Sequence, residues 1–419
     1  MIEILEGAEA WSRLSGPQTD VPGPKNNLAD TVREILGQVR AQGDAALRSL
    51  AEKFGDASQG PIAVVQTEID AAGDSLSPEA RGVLERAAGN IRVFAEAVRD
   101  ALKPVRLERD GFTVGLDYRP VSSAGCYVPG GRHPLPSSAL MTAVTARAAG
   151  VASVHLVCPR PTPEVLYCAK LAGVDSVFRA GGAQAIAALA FGTESVPAVD
   201  VVAGPGNAYV TEAKRQLQGR VGIDLLAGPS EVAIIADGKA DPSRVALDLL
   251  AQWEHDPKAI AWLLTDDRGL AEKTARELDA RSSDADLPAF LQDTLKTSAL
   301  LVFESLEACA EAANRIAPEH LHLAVENAGG WKDKVENYGA LFLGQDATVP
   351  FGDYMSGPNH TLPTGRTARY SGGLTVLSFL RPQSWLEVGG GRARLASDTA
   401  AFAEMEGLLA HAKAARARG

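Results

Sequence analysis

Apolar runs rich in β-branched residues alternate along this chain with stretches whose apolar residues recur at helical spacing. From residue 137 onward, the pattern predicts four units in which a helix precedes a strand. The predicted helices span 137–149, 163–172, 183–191 and 207–219, and the strands span 154–158, 176–179, 199–203 and 231–235. Continuous apolar strands separated by short helices indicate a parallel, doubly wound sheet that is covered on both faces.

A second alternating block follows. Its predicted helices span 243–256, 269–282 and 306–316, and its strands span 260–264, 299–303, 322–325 and 340–343. Residues 344–372 are rich in turns and almost without periodicity, and a loop of that length in a folded protein is usually functional. The tail, 398–416, is predicted to be one alanine-rich amphipathic helix.

The amino-terminal part of the chain is more irregular. Residues 17–26, rich in Pro, Gly and Asn, are predicted to link a short arm to the main body, and residues 281–288 are predicted to be a mobile loop. The remaining predictions are helices at 28–42, 45–54 and 78–102, a short strand at 62–65 and a hairpin-like β segment at 103–124.

Composition narrows the class of protein. A chain of 419 residues with 46% hydrophobic and 22% charged residues is long enough for two sizeable cores and has the balance of a folded protein. Its net charge of -11, without a dense basic stripe, argues against a nucleic-acid partner. No apolar run approaches the roughly 18 residues of a membrane span, and the first residues do not follow a secretory signal pattern.

The chain has four cysteines, Cys126, Cys158, Cys168 and Cys309, and none shows C-x-x-C spacing. Their apolar surroundings predict reduced core thiols in a cytoplasmic protein. Cys126 could instead be a nucleophile, but no residue near it in the sequence would activate it.

Three features of the sequence carry side chains that could bind a metal ion or act in acid–base catalysis. Gln252 and His255 are three residues apart, so on a helix they share one face, and Asp353 directly follows a glycine in the turn-rich segment. Amide oxygen, imidazole and carboxylate are groups that zinc accepts, although the same spacing is common on solvated helix faces. Glu319-His320 follows Pro318, where the pair suits either the first turn of a helix or general acid–base catalysis.

Two glycine-rich turns, 180–182 and 203–206, follow predicted strands and open helices. In doubly wound sheets, ligands bind at the carboxyl ends of the strands, so these turns could seat a dinucleotide. Tight strand–helix packing also requires small residues there. Neither turn has the G-x-G-x-x-G spacing, and no acidic residue stands out about twenty residues later.

The order of several short motifs resembles the L-histidinol dehydrogenase family, whose enzymes use zinc and NAD. The resemblance runs from about residue 27 to the C-terminus and is most specific between 120 and 375. It rests on AQWEHDP at 251–257 and His411, and on YVPGG at 127–131, GGAQ at 181–184, GPGN at 204–207, AGPSEV at 227–232, IAPEHL at 316–321, FGDY at 351–354 and SGPNH at 356–360.

The resemblance implies an α/β fold with two doubly wound, Rossmann-like parallel-sheet domains, similar to that of aldehyde dehydrogenases, with small terminal extensions. Residues 127–230 would form the NAD-binding domain, and 27–126 together with 231–374 the domain that carries the metal and catalytic residues. Residues 1–26 would be an arm, and 375–419 a helical tail that reaches the partner subunit of a homodimer with composite active sites.

The resemblance also assigns roles to residues. Glu319 would activate water, and His320 would act as acid and base on the alcohol. The NAD contacts would be Tyr127, Gln184 and Asn207, and the zinc ligands Gln252, His255, Asp353 and His411. The substrate contacts would be Ser230, Gln252, His255, His320, Asp353, His360, Glu406 and His411.

His322 is not part of the family motif, and we interpret it as a strand residue. Trp253 stands where the family usually has a small residue, and we expect it to pack away from the ligands. The expected activity is oxidation of L-histidinol to L-histidine through the aldehyde, with two NAD reduced. A paralogous zinc dehydrogenase of another small polar alcohol and a degenerate, non-enzymatic scaffold remain alternatives.

Overall fold

The computed structural model describes residues 2–14, 26–56, 60–130, 135–281, 284, 287, 288, 290–294 and 298–419. The strands are β1 Glu3–Glu6, β2 Val105–Arg109, β3 Phe112–Pro120, β4 Ser123–Tyr127, β5 Ser153–Val157, β6 Ser176–Phe178, β7 Val201–Ala203, β8 Gly222–Ile223, β9 Glu231–Ala236, β10 Ile260–Thr265, β11 Ala299–Val302, β12 His320–Ala324, β13 Ala340–Leu343 and β14 Leu380–Val388.

The helices divide into those that cover the two parallel sheets and those of the carboxyl-terminal part. They are α1 Ala8–Leu14, α2 Asn26–Gln42, α3 Asp44–Phe54, α4 Gln66–Ala71, α5 Pro78–Asp100, α6 Pro136–Ala148, α7 Pro163–Ala172, α8 Gly182–Phe191, α9 Ala208–Leu217, α10 Pro242–Trp253, α11 Arg268–Arg281, α12 Leu291–Thr294, α13 Leu306–Ile316, α14 Ala328–Trp331, α15 Val349–Tyr354, α16 Ala393–Met405 and α17 Leu409–Arg416.

Two parallel sheets form the centre of the fold. The five-stranded sheet has the order β6-β5-β4-β7-β8, and the six-stranded sheet has the order β1-β11-β10-β9-β12-β13. Counted along the chain, β4–β8 and β9–β13 both follow the order 3-2-1-4-5. In each block the first strand lies at the centre, the next two are added on one side of it, and the last two on the other side. This order confirms the prediction of two doubly wound sheets, and ligands of such sheets bind at the point of reversal.

The first sheet is covered by helices from the amino-terminal part of the chain. The apolar faces of α2, α3, α8 and α9 are buried on one face of this sheet, and those of α4, α5, α6 and α7 on the other. The expected grouping of 27–126 with 231–374 stays a prediction, and the packing of the helices in 27–126 is as follows. Helices α2 to α5 bury their apolar faces against the five-stranded sheet, and β4 is its central strand.

The second sheet is covered by α10 and α11 on one face and by α1 and α13 on the other. Strand β1 pairs in parallel with β11 at the sheet edge. Trp11 of α1 packs edge-on against Phe303, with ring centroids 4.9 Å apart. The described part of the expected arm thus belongs to the six-stranded sheet and to the helices that cover it.

Several element boundaries differ from the sequence predictions. The predicted hairpin is confirmed as β2 and β3, which join β14 in a three-stranded antiparallel sheet, so the tail 375–419 is not wholly helical. At 62–65 only Ala63 makes an isolated bridge, to Phe178. The tail helix is broken at Gly407, whose positive φ of 76° separates α16 from α17. The predicted linker at 17–26 and loop at 281–288 lie mostly outside the described residues.

Two further properties concern the cysteines and the apolar character of the helices. All four cysteines are free and buried, and burial raises the pKa of Cys126 to about 12, which leaves its thiol protonated and unreactive near neutral pH. None of the described helices is long and apolar enough to cross a lipid bilayer.

Asp241 caps the amino end of α10, and its side chain accepts a hydrogen bond from the Ser243 amide. Pro242 follows as the first residue of the helix. The helix ends at Trp253, whose side chain is fully buried and whose indole Nε1 donates to Ser298 Oγ at 2.6 Å. The expectation that Trp253 serves packing is confirmed.

We expect Trp253→Ala to lower the free energy of unfolding by about 3–5 kcal/mol, because the substitution leaves a large cavity beside α10. Urea unfolding followed by circular dichroism measures this loss. Trp253→Phe, which retains most of the apolar volume, should lose less. Equal stability of Trp253→Ala and wild type would show that this side chain does not anchor the helix.

Candidate active site

The candidate site lies at the amino ends of β9 and β12, which are parallel neighbours. Their register places His320 opposite Val232, so Glu319, just before β12, stands beside Ser230 and Glu231 at the start of β9. Glu319-His320 therefore begins a buried strand and not a helix. The helical interpretation is wrong because β9 hydrogen-bonds to the residues that follow Pro318.

Glu319 is buried, and its carboxylate is held by specific donors. Its Oε2 accepts hydrogen bonds from Ser230 Oγ at 2.5 Å and from the Glu231 amide at 2.9 Å. Burial raises the pKa of Glu319, whereas His320, Ser230 and the Glu231 amide act in the opposite direction. The carboxyl group is thus poised to accept a proton more readily than an exposed glutamate.

His320 lies between two carboxylates. Its Nδ1 donates to the Glu231 carbonyl at 3.0 Å and lies 3.6 Å from Glu319 Oε2, and its Nε2 lies 3.7 Å from Asp353 Oδ1. Burial lowers the pKa of His320, but Glu319 and Asp353 outweigh that effect and raise it to about 9. Nε2 makes no hydrogen bond within the described residues, so the ring is fixed by one nitrogen and free to react at the other.

Asp353 and two further histidines complete this cluster. Burial raises the pKa of Asp353, but His320, His360 and His255 lower it below its ordinary value. His360 is also enclosed, burial lowers its pKa, and its Nε2 has no partner among the described residues. Asp353 lies on α15 and not in an irregular loop, because residues 349–354 form a helix that begins with a proline in its first turn.

Gln252 contributes a buried amide whose two polar atoms, Oε1 and Nε2, both lack hydrogen-bond partners within the described residues. His255 lies two residues beyond the end of α10 and is exposed. The prediction that the two residues share a helix is wrong, because Pro257 disfavours helical geometry in the preceding residue and α10 ends before it. Their proximity persists through a turn in which the His255 amide donates to the Gln252 carbonyl at 3.4 Å.

The donor set fits a zinc ion in chemistry. Gln252 supplies a buried amide without partners among the described residues, and Asp353 supplies a buried carboxylate. The His255 imidazole lies close enough to Asp353 to lower the pKa of that carboxyl. Zinc accepts amide oxygen, carboxylate and imidazole as ligands. Buried polar atoms normally find partners, so the unpaired amide of Gln252 indicates a ligand. Within the described residues, no three His, Cys, Asp or Glu side chains stand together as a metal site.

The structure does not bring the tail residues to this cluster. Glu406 terminates α16 and His411 lies on α17, and both side chains are exposed. Within the described part of the chain, neither makes a hydrogen bond or an ion pair with the cluster. One chain therefore supplies the acid–imidazole pair and part of the donor set, but not the tail groups.

The predicted cofactor residues lie at the carboxyl ends of the other sheet. Tyr127 ends β4, and its hydroxyl accepts from the Gly182 amide at 3.1 Å at the start of α8. Gln184 is buried on α8, and its Oε1 lacks a partner among the described residues. Asn207 caps α9 through its Oδ1, with donors Tyr209 N at 3.0 Å and Val210 N at 3.2 Å. Tyr127 and Asn207 thus shape the two turns, and the Gln184 oxygen is free for a ligand.

Sequence reasoning missed the side chain of Glu231, which was assigned only to a strand. It is buried, and its Oε1 accepts from the Gly365 amide at 3.1 Å. Burial, followed by the nearby Glu319 carboxylate, raises the pKa of Glu231 to about 8. The available signal was a charged residue at the head of an otherwise apolar strand.

The family model of histidinol dehydrogenase matches residues 22–419. The chain is 42% identical over 399 residues to histidinol dehydrogenase of Methanosarcina barkeri, covering 94% of this chain and 92% of the relative. It is 41% identical over 413 residues to a "histidinol dehydrogenase homolog" of Ruegeria pomeroyi, covering 95% and 94%. A crystal structure of histidinol dehydrogenase from Elizabethkingia anophelis has a TM-score of 0.93 at 34% identity, covering 100% of this chain and 98% of that one.

These similarities extend over nearly the whole chain and define an NAD-dependent oxidoreductase that acts on CH–OH groups. The chain belongs to the histidinol dehydrogenase family, whose activity is the oxidation of histidinol in histidine biosynthesis. The resemblance inferred from the motifs is confirmed.

We expect Glu231→Gln to reduce the dependence of stability on pH. The folded carboxyl binds its proton more tightly than the unfolded one, so its contribution is complete below the unfolded pKa of 4.5 and is lost as pH rises through about 8. The glutamine amide of the variant does not ionise, so it loses no stability over this pH range. The drop in unfolding free energy between about pH 5 and about pH 8.5, measured with a chelator present, should be smaller in the variant by at least about 2 kcal/mol.

A matched control is Glu311→Gln, which removes an exposed carboxylate from α13 and should follow the wild-type pH dependence. If Glu231→Gln also followed it, the buried carboxyl would be shown to ionise as an ordinary glutamate.

Proposed function

We propose that this protein oxidises L-histidinol to L-histidine in two successive steps, through a retained aldehyde, and reduces two NAD. The observation that carries the proposal is the acid–imidazole pair at the start of β12, beside the buried and unpaired amide of Gln252. Two oxidations of one carbon require a group that removes the alcohol proton and a group that activates water. His320 and Glu319 supply these two functions from adjacent positions.

Zinc would be held by Gln252, His255 and Asp353 of one chain and by His411 from the tail of a second copy. A bound zinc ion would orient the amino alcohol and polarise its groups. Asp353, close to three histidines that lower its pKa, is ionised near neutral pH, as a ligand must be. The exposed His255 and the buried Gln252 approach from the same turn, which fixes their separation.

His320 would remove the hydroxyl proton at Nε2, which has no hydrogen-bond partner among the described residues. It would act as the neutral imidazole. Although burial lowers its pKa, the flanking carboxylates raise it to about 9, so this form becomes abundant only in alkaline solution. Its Nδ1 remains bound to the Glu231 carbonyl, which sets the orientation of the ring during proton transfer. The imidazolium that results is stabilised by Glu319 and Asp353, which lie within 4 Å of its two nitrogens.

Glu319 would activate the water that hydrates the aldehyde. Its carboxylate is buried and hydrogen-bonded on one oxygen, Oε2, by Ser230 and by the Glu231 amide. The raised pKa makes it a stronger base than an exposed carboxylate. Keeping the aldehyde in an enclosed site prevents its loss to side reactions.

NAD would supply the hydride acceptor for both oxidations. Tyr127, Gln184 and Asn207 are the proposed contacts, at the carboxyl ends of the five-stranded sheet. Their amide and phenol groups suit hydrogen bonds to ribose and phosphate without adding charge. The free Oε1 of Gln184 supports this assignment.

Ser230, His360 and Glu406 are proposed to contact the substrate together with the ligands. Glu406 and His411 reach the cluster only if the tail enters a neighbouring subunit, so we propose an intertwined homodimer with composite sites. The exposed apolar residues around them support this arrangement: Phe402, Met405, Leu408 and Leu409. The four buried thiols fit a reducing compartment, such as the cytoplasm.

A second candidate function is oxidation of another small polar alcohol by the same machinery. It is favoured by the relative in Ruegeria pomeroyi, which is named only a homolog of histidinol dehydrogenase yet is as similar as relatives that carry the enzyme's name. Retention of Ser230, His360, Glu406 and His411 favours histidinol.

The deciding test follows NADH formed per L-histidinol consumed, to completion, with zinc added. About two NADH per substrate establishes the four-electron oxidation. Absence of NADH from a protein that binds zinc would exclude histidinol and direct a screen of other polar alcohols.

His255→Ala is expected to abolish zinc binding and activity while the fold persists, because the imidazole would serve as a ligand and its side chain is exposed and outside the core. Zinc content measured by atomic absorption, with circular dichroism as the check on folding, tests this assignment. A zinc-free variant with full activity would exclude it.

Glu319→Gln should slow the second oxidation more than the first, because only the second requires an activated water. Rapid-quench measurement of histidinol, aldehyde and histidine separates the two steps, and aldehyde should accumulate. Equal slowing of both steps would remove the assigned role of Glu319.

A further inference from the structure

One face of α10 points towards the segment that precedes Asp353. Arg244, Asp248 and Gln252 are four residues apart, so they lie along the same side of the helix. The Arg244 guanidinium donates to the Gln345 carbonyl at 3.3 Å, and Asp248 accepts from Thr348 Oγ1 at 2.7 Å. Gln252, one turn later, carries the unpaired amide of the candidate site.

Thr348 occupies the position before α15 where a threonine normally caps its own helix. Its hydroxyl makes no such bond and donates to Asp248 instead. A helix of six residues has little stability by itself, so α15 depends on its attachments. Asp353 lies on this helix, and its position therefore depends on how the helix is tied to α10.

His322 brings a third element into the same contact. It follows His320 by two residues on β12, so the two imidazoles lie on the same face of the sheet. Its Nε2 donates to the Gly344 carbonyl at 2.9 Å, at the end of β13, and its Nδ1 lies 3.3 Å from Asp248 Oδ2. Asp248 thus faces both the strand that carries His320 and the helix that carries Asp353.

We propose that Asp248, His322 and Thr348 form a clasp that positions the Gln252–His255 turn, the Glu319–His320 pair and Asp353 relative to one another. The functional part of this inference rests on the proposed zinc-dependent oxidation. The three residues are positioning residues, since they touch none of the reacting groups. The clasp joins α10, β12 and α15, the elements that supply the cluster.

The structural part is tested by hydrogen exchange on the full-length, metal-free protein. Thr348→Val keeps the shape of the side chain and removes the hydroxyl, and Asp248→Ala removes the acceptor. In both variants we expect about tenfold faster exchange at the amide of Phe351 in α15 and at those of Met355 and Ser356 directly after it, as loss of a partly buried hydrogen bond implies. Exchange in β4–β7 should not change.

Arg244→Gln is the matched control, because it removes an exposed contact one turn earlier on the same face of α10 and leaves the clasp intact. It should exchange at the wild-type rate. Unchanged exchange in both clasp variants, or equal acceleration in the control, overturns the proposal.

The functional part is tested by zinc release into excess chelator. Asp248 contacts no proposed ligand and would act on them through Thr348 and His322. Loss of groups that orient metal ligands typically weakens binding by about 10–100-fold, so Asp248→Ala should release zinc at least about tenfold faster. Its kcat should fall while its KM for NAD stays at the wild-type value, because the cofactor residues belong to the other sheet. Wild-type rates of zinc release and turnover, or a matching rise in the KM for NAD, overturn the positioning role.

A wild-type protein that neither binds zinc nor oxidises histidinol overturns the proposed function. Hydrogen exchange on the metal-free protein still tests the clasp in that case, so failure of the clasp and failure of the proposed function are distinguishable.

Discussion

Taking the Glu319 carboxylate out of water costs several kcal/mol unless donors and a counter-charge replace the lost hydration. Ser230 Oγ and the Glu231 amide supply the donors, and His320 supplies the charge. All three reach the carboxylate only because β9 and β12 are parallel neighbours with aligned amino ends. The register of two central strands therefore fixes the acid–base pair, and a shift of one residue would turn His320 to the opposite face of the sheet.

The two parallel sheets share one strand order but use opposite ends. The predicted cofactor residues follow the carboxyl ends of β4, β6 and β7, which is the usual binding edge of a doubly wound sheet. The acid–base pair lies at the amino ends of β9 and β12. It meets Gln252 there because α10 leaves the carboxyl end of β9 and runs back along the sheet, so that its last turn returns to the amino edge.

Five buried polar atoms without partners within the described residues belong to residues assigned to the active site. The Gln252 amide, His320 Nε2, His360 Nε2 and the Gln184 oxygen all lack hydrogen bonds within the described residues. Each such group costs stability, and proteins retain that cost where a ligand satisfies the group. In the neighbouring clasp, Thr348 donates a hydrogen bond to Asp248, whereas His322 Nδ1 makes none within the described residues.

The sequence by itself determined the two doubly wound sheets, the family and most candidate residues, because strand and helix periodicities and short motifs are local properties. It left Glu319-His320 as either a helix start or an acid–base pair, and strand pairing excluded the helix start. Only the tertiary structure placed α2 to α5 on the five-stranded sheet, gave Asp353 a helix and revealed the buried Glu231 carboxyl. These depend on contacts between residues far apart in the chain, such as Glu231 with Glu319 and Asp248 with Thr348. No local pattern encodes such contacts, because each partner's sequence is compatible with several neighbours until the fold selects one.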